Sequence, residues 1–193
     1  MLKVAILAFE KIATFELACA IEIFALPRPE YDNWYHAEVV CFEKGLLAAT
    51  GGVNISAKTI QTLNHYHTLV IPSWNTRNNH VRLDMAEQIN SFSKRGGRIV
   101  CFCSGAFLLA QLGLLQNKSA TTHWRYSEIF KQRFPLVNLM NDVLYTHDQN
   151  ISCSAGSAAT LHLGIDIVRQ DFGHEIANQV ARRLVISPHR QGG

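Results

Sequence analysis

Three short apolar runs with no polar alternation narrow the choice of fold most sharply: "VAILAF" (4–9), "TLVIPS" (68–73) and "RIVCFC" (98–103). A strand with one wet face alternates apolar and polar side chains, whereas a parallel strand covered on both faces reads as one continuous apolar run. "AEVVCFE" (37–43) supplies a fourth strand. Helical spacing fills the intervals, first at Leu17, Ile21 and Phe24, then at Met85, Ile89 and Phe92, which stops at Gly96 and Gly97 as a C-cap requires. Strand alternating with helix predicts an α/β fold, a doubly wound and mostly parallel sheet with helices on both faces in a flavodoxin-like three-layer sandwich.

The pattern continues to the end of the chain. A helix after Cys103 carries Phe107, Leu108 and Leu112, and another starts near His123. "DVLYTHDQNISCSAG" (142–156) reads as two strands around a polar turn, followed by a helix with Leu161, Ile165, Val168 and Phe172 on one stripe and Gly173 at its end. Ile176, Val180 and Leu184 mark a last amphipathic helix, which Pro188 closes before "HRQGG". At 193 residues the chain is expected to form one domain spanning 1–193.

Composition excludes several classes of function. No apolar stretch approaches the ~20 residues that span a bilayer, and the short apolar start runs straight into patterned sequence, so a cytoplasmic protein without a membrane partner is expected. A net charge of +3 is too weak a lever for nucleic acid. Only Arg182, Arg183 and Arg190 hint at a basic face. The five cysteines, Cys19, Cys41, Cys101, Cys103 and Cys153, are odd in number and lack paired spacing, which predicts reduced thiols and no metal site. Nothing in the chain calls for a cofactor.

Ligands of an open α/β sheet bind beyond the carboxyl ends of its strands, which directs attention to the residue just past each one. Those residues are Glu16, Ser73 with Trp74, Cys103 with Ser104, and Ala155 with Gly156. Cys103 fits a nucleophile elbow, a sharp strand-to-helix turn with Cys101 two residues before and Gly105 two after; the N–H groups of the following helix would favour a thiolate. A buried structural cysteine is the competing reading, and the residues alone leave both open. Glu16 equally suits a charge complementing a helix dipole, and His123 an acid/base group or a simple cap. "CSAGSAA" (153–159) offers backbone N–H groups to a polar ligand, or merely permits close helix packing.

"CSGAFLLAQLGLLQNKSATTHW" (103–124) resembles the PfpI-like, or class I glutamine amidotransferase-like, superfamily, and the likeness extends over nearly the whole chain. "FELACAIEIF" (15–24), the stretch 153–173 and "ARRLVISPHRQGG" (181–193) are similar to the branch that forms the N-terminal domain of AraC-type transcriptional regulators. The resemblance implies an α/β/α sandwich, a cysteine at the elbow and an acidic residue from the first helix touching it, here Cys103 and Glu16. It also implies a C-terminal helix-turn-helix domain after residue 193 that carries all DNA contact, and a homodimer. A similar branch, the isonitrile hydratases, shares "TTHW" and has Cys-Thr-Gly at the elbow, with Asp at the position of Glu16.

Departures from these patterns separate the alternatives. Ser104 stands where peptidase-like members carry His, no late His-Pro-Glu follows, and "IPSW" replaces the Gly whose N–H groups stabilise an oxyanion in relatives. The expected function is therefore a non-catalytic ligand-sensing domain. Its pocket is expected at Glu16, Ser73, Trp74, Cys103, Ser104, His123, Ala155 and Gly156, taking a small-molecule metabolite or an amide or other nitrogen compound. The alternatives are a hydratase with Cys103 as nucleophile, Glu16 as acid/base and His123 in support, and a thiol-based stress sensor.

Overall fold

The computed structural model describes residues 1–77 and 80–187. Seven strands form the main sheet: β1 (Lys3–Leu7), β2 (His36–Cys41), β3 (Lys58–Thr59), β4 (Thr68–Ile71), β5 (Arg98–Cys101), β6 (Tyr145–Asp148) and β7 (Ile151–Ser154). Their order is β6-β7-β5-β4-β1-β2-β3, and every pairing is parallel except the β6–β7 hairpin. The four apolar runs are thus β1, β2, β4 and β5; residues of β1, β4 and β5 are almost all buried because layers cover both faces. A two-stranded hairpin, Leu46–Ala48 with Asn54–Ser56, stands outside the sheet and left no legible pattern in the sequence.

Six helices connect and cover the strands: α1 (Thr14–Ala20), α2 (Leu83–Lys94), α3 (Gly105–Gln111), α4 (Ser127–Arg133), α5 (Ala159–Phe172) and α6 (His174–Arg183). In α2 the expected stripe of Met85, Ile89 and Phe92 is the buried one. The first helix departs from 3.6-residue spacing. From Ile21 to Ala25 it widens into a π-turn, closed by Leu26 N–H donating to the Ile21 carbonyl at 2.9 Å. The extra residue turns Ile23 and Phe24 inward together and leaves Ile21 exposed, against the expected stripe. Gly164 of α5 explains the need: a methyl there would lie 2.9 Å from Ile23 Cγ1, so the two helices meet where only hydrogen fits.

α5 is buried on more than one side, at Leu163, Gly164, Ile165, Ile167 and Val168, because it lies against the sheet, α1 and α6. The expected Leu161 and Phe172 are half-buried flanks; in α6, Ala177, Val180 and Ala181 are buried, with Ile176 and Leu184 at the margin. Phe24, Phe92, Phe107 and Phe130 are fully buried, each contributing roughly 1.5–3 kcal/mol of apolar transfer. No helix among the described residues is long and apolar enough to cross a membrane. Pro188 and Arg190, with the rest of "HRQGG", lie outside the described residues.

Candidate functional site

β5 ends at Cys101, and α3 begins at Gly105. The intervening turn forces Cys103 to φ +52°, a left-handed conformation that costs a non-glycine residue on the order of 1–3 kcal/mol and persists only when its surroundings hold it. Two glycines make that possible. A methyl on Gly105 would sit 2.6 Å from the Ile71 carbonyl, so α3 can start this close to β4 only with Gly at that position. Gly156, at φ +90°, lies directly on the thiol, where a methyl would be 2.7 Å from Cys103 Sγ. Ser157 follows in the left-handed region at φ +48°.

Glu16, in the first turn of α1, is buried. Its Oε1 accepts from the Ser157 N–H at 3.4 Å, one residue beyond the Gly156 that lies on the thiol, and its charge reaches Cys103. The fold thus brings Glu16 into the neighbourhood of Cys103 through the Gly156–Ser157 turn. The electrostatic sense of that placement opposes the expected thiolate. Burial first, and the Glu16 charge second, push the Cys103 thiol up to about 12, although the N–H groups of Ser104 and Ser157 pull it down. The backbone donors act as the elbow argument required, but desolvation and a neighbouring carboxylate outweigh them and disfavour the thiolate.

A cleft of about 620 Å³ opens beside this turn, walled by Thr121–Trp124, by Asn141–Leu144 and by Ala155–Ala159. Ala155, Gly156 and His123 thus meet as expected. His123 caps the turn it begins, its Nδ1 accepting from the Arg125 N–H at 3.2 Å, with its ring beside Trp124 and Tyr126. Among the described residues no bond joins His123 to Cys103. Thr122, which residue-level reasoning passed over, donates from Oγ1 to the Cys103 carbonyl at 2.9 Å and fixes the elbow to the cleft wall. "TTHW" was its available signal. Asp142, also in the left-handed region, and the exposed Trp124 are further lining groups that the sequence reading missed.

Ser73 and Trp74 sit elsewhere than the single expected pocket. Ser73 is buried, and its Oγ accepts from the Ala13 N–H at 3.1 Å, tying the end of β4 to the start of α1. Trp74 stacks obliquely on Phe9 at 4.7 Å and lines a second cleft of about 190 Å³ with Arg82 and Met85. The Cys103–Ser104 turn separates the two clefts, since Cys103 packs on Gly156 while Ser104 Oγ accepts from the Trp74 N–H at 3.0 Å. The Trp74 indole N–H donates to Gln111 at 3.2 Å. Among the described residues, no three His, Cys, Asp or Glu side chains gather to hold a metal ion.

The chain is similar to the HTH-type transcriptional regulator ArgR of Pseudomonas aeruginosa, at 34% identity over 104 residues, 54% of this chain and 31% of that protein. It is also similar to the HTH-type transcriptional regulator CdhR of the same organism, at 21% identity over 168 residues, 86% of this chain and 50% of that one. The chain thus spans half or less of the length of these relatives. Among solved structures, an AraC family transcriptional regulator from Pseudomonas putida superposes with a TM-score of 0.83 at 16% identity, over 95% of this chain and 100% of that chain, which shows a shared fold. Residues 2–170 match the DJ-1/PfpI family, and the elbow cysteine, the carboxyl group beside it and the parallel sheet beneath them agree: the chain belongs to that family.

Proposed function

We propose that this chain is the N-terminal ligand-sensing domain of an AraC-type transcriptional regulator and that it does not turn over its ligand. One observation carries the second half of the reading: the Trp74 N–H, at the turn where catalytic relatives free a backbone donor for an oxyanion, is already bonded to Ser104 Oγ. Losing one such donor costs about 10²–10³ in rate. Burial and the Glu16 charge, by raising the Cys103 thiol, work in the same direction, because the thiolate is the nucleophile. An open cleft beside a strained, over-determined turn is a place where a small polar metabolite, an amide or another nitrogen compound binds and shifts a conformational equilibrium.

In this reading a helix-turn-helix domain beyond residue 193 contacts DNA, the regulator is a cytoplasmic homodimer, and residues 1–193 form one regulatory unit. The relatives' names and the similarity over 86% of the chain to one of them support it. The hydratase reading keeps one point in its favour, the buried Glu16 carboxyl group whose charge reaches the Cys103 thiol, as an acid/base beside a nucleophile would. A gel-shift titration tests the regulatory half. Residues 1–193 alone should leave the DNA upstream of the gene unshifted at moderate salt, and the full-length product should retard it; a sequence-specific complex with 1–193 alone would contradict the assignment.

A further inference from the structure

Beneath the elbow lie two sulfurs that play no part in the site above. Cys101 ends β5, Cys153 lies in the parallel neighbour β7, and the two residues are register partners. Both are about 1% exposed, and their sulfur atoms are 3.0 Å apart. Unbonded carbon atoms, smaller than sulfur, sit best at ~3.5–4.0 Å. A disulfide requires ~2.05 Å between sulfurs and Cα atoms about 4.4–6.8 Å apart, and paired strands run ~4.7–4.9 Å apart. Register partners on neighbouring strands fall within that range, and the sulfurs need to close by only about an ångström. Among the described residues, no other pair of cysteines makes such a contact.

We propose that Cys101 and Cys153 are a redox pair that forms an intramolecular disulfide with a hydroperoxide as oxidant. One sulfur, as thiolate, attacks the O–O bond; it becomes a sulfenic acid, and the peroxide leaves as water or an alcohol after taking up the proton. The second sulfur attacks the sulfenic sulfur, the S–O bond breaks, the S–S bond forms, and water departs with the remaining proton. Two thiols lose two electrons and two hydrogens, and one peroxide is reduced. Burial and the adjacent sulfur hold the Cys101 thiol well above its ordinary range, so the first step awaits local opening of the strand pair and runs slower than oxidation of an open thiol. The bond would staple the two strands that continue, two residues on, into Cys103 and into Ala155–Gly156.

Mass spectrometry of the whole chain decides the matter. The native protein and Cys103→Ala are incubated with hydrogen peroxide, quenched with acid, blocked with N-ethylmaleimide and digested; the Cys103→Ala variant leaves Cys101 as the only thiol in its tryptic peptide. The expected result is a peptide pair joining Cys101 to Cys153, lighter by two hydrogens, present in both proteins and reversed by dithiothreitol. Overturning results are a chain that accumulates oxidised Cys103 with Cys101 and Cys153 still alkylable after denaturation, or a link that disappears in Cys103→Ala. Neither bears on ligand sensing, which is measured separately.

Discussion

Cys103 and the two groups pressed against it, Glu16 and Gly156, concentrate the site's energetics in a few atoms. Because the Glu16 charge raises the thiol, Glu16→Gln should lower the Cys103 pKa and speed its alkylation at pH 8 by roughly 3–10-fold, each pKa unit being a tenfold change in thiolate. Burial is the larger cause and remains in the variant. Iodoacetamide labelling followed by peptide mapping gives the rate; an unchanged or slower rate would show that the carboxyl group does not act through its charge. Gly156→Ala meets both a positive φ and the sulfur at 2.7 Å, so it should cost about 2–4 kcal/mol in urea denaturation. Adding Cys103→Ala should return part of that loss, about 1 kcal/mol, since the sulfur is removed while the Cys103 backbone stays in the way.

At the scale of elements, one ionic cluster holds the β6–β7 hairpin to α5. His147 on β6 bonds to Ser152 at 2.7 Å and to Asp166 on α5 at 2.9 Å, while Arg169 and Gln170 bind the same carboxylate at 2.7 and 2.9 Å. Led by the His147 bond, these partners hold the Asp166 carboxyl below its ordinary value. A depressed carboxyl contributes stability above its unfolded pKa and loses it as pH falls through the folded one. Asp166→Ala should therefore cost about 2 kcal/mol at pH 7, and the gap to the native chain should narrow below about pH 4. Urea melts at the two pH values check this; a gap that widened in acid would contradict the linkage. The elements themselves were largely legible, because "RIVCFC" or "TLVIPS" encodes burial directly in its own residues. Ile21 was misread because the π-turn answers to the contact of Ile23 with Gly164, 141 positions further along the chain, which no local spacing contains.

For the whole molecule, the same distinction between local and distant causes decides what could be read in advance. The sheet followed from strand ends; the dispersal of the expected pocket did not: His123, Ala155 and Gly156 line one cleft, Trp74 the other, and Glu16, Ser73, Cys103 and Ser104 line neither, Ser104 Oγ being engaged by the Trp74 N–H across 30 positions. The raised elbow thiol was equally hidden, because the helix-terminus argument supplies the sign of one contribution and burial supplies a larger one of opposite sign. A paired binding and turnover assay on residues 1–193 separates sensing from catalysis. A panel of amino acids, amides and isonitriles is followed by thermal shift and by NMR, with Cys103→Ala as the blank and Ala158→Trp to fill the cleft. Sensing without turnover predicts a saturable rise in melting temperature with at least one compound, lost in Ala158→Trp, and no product from any. Saturable conversion of an isonitrile or amide that vanishes in Cys103→Ala would contradict it.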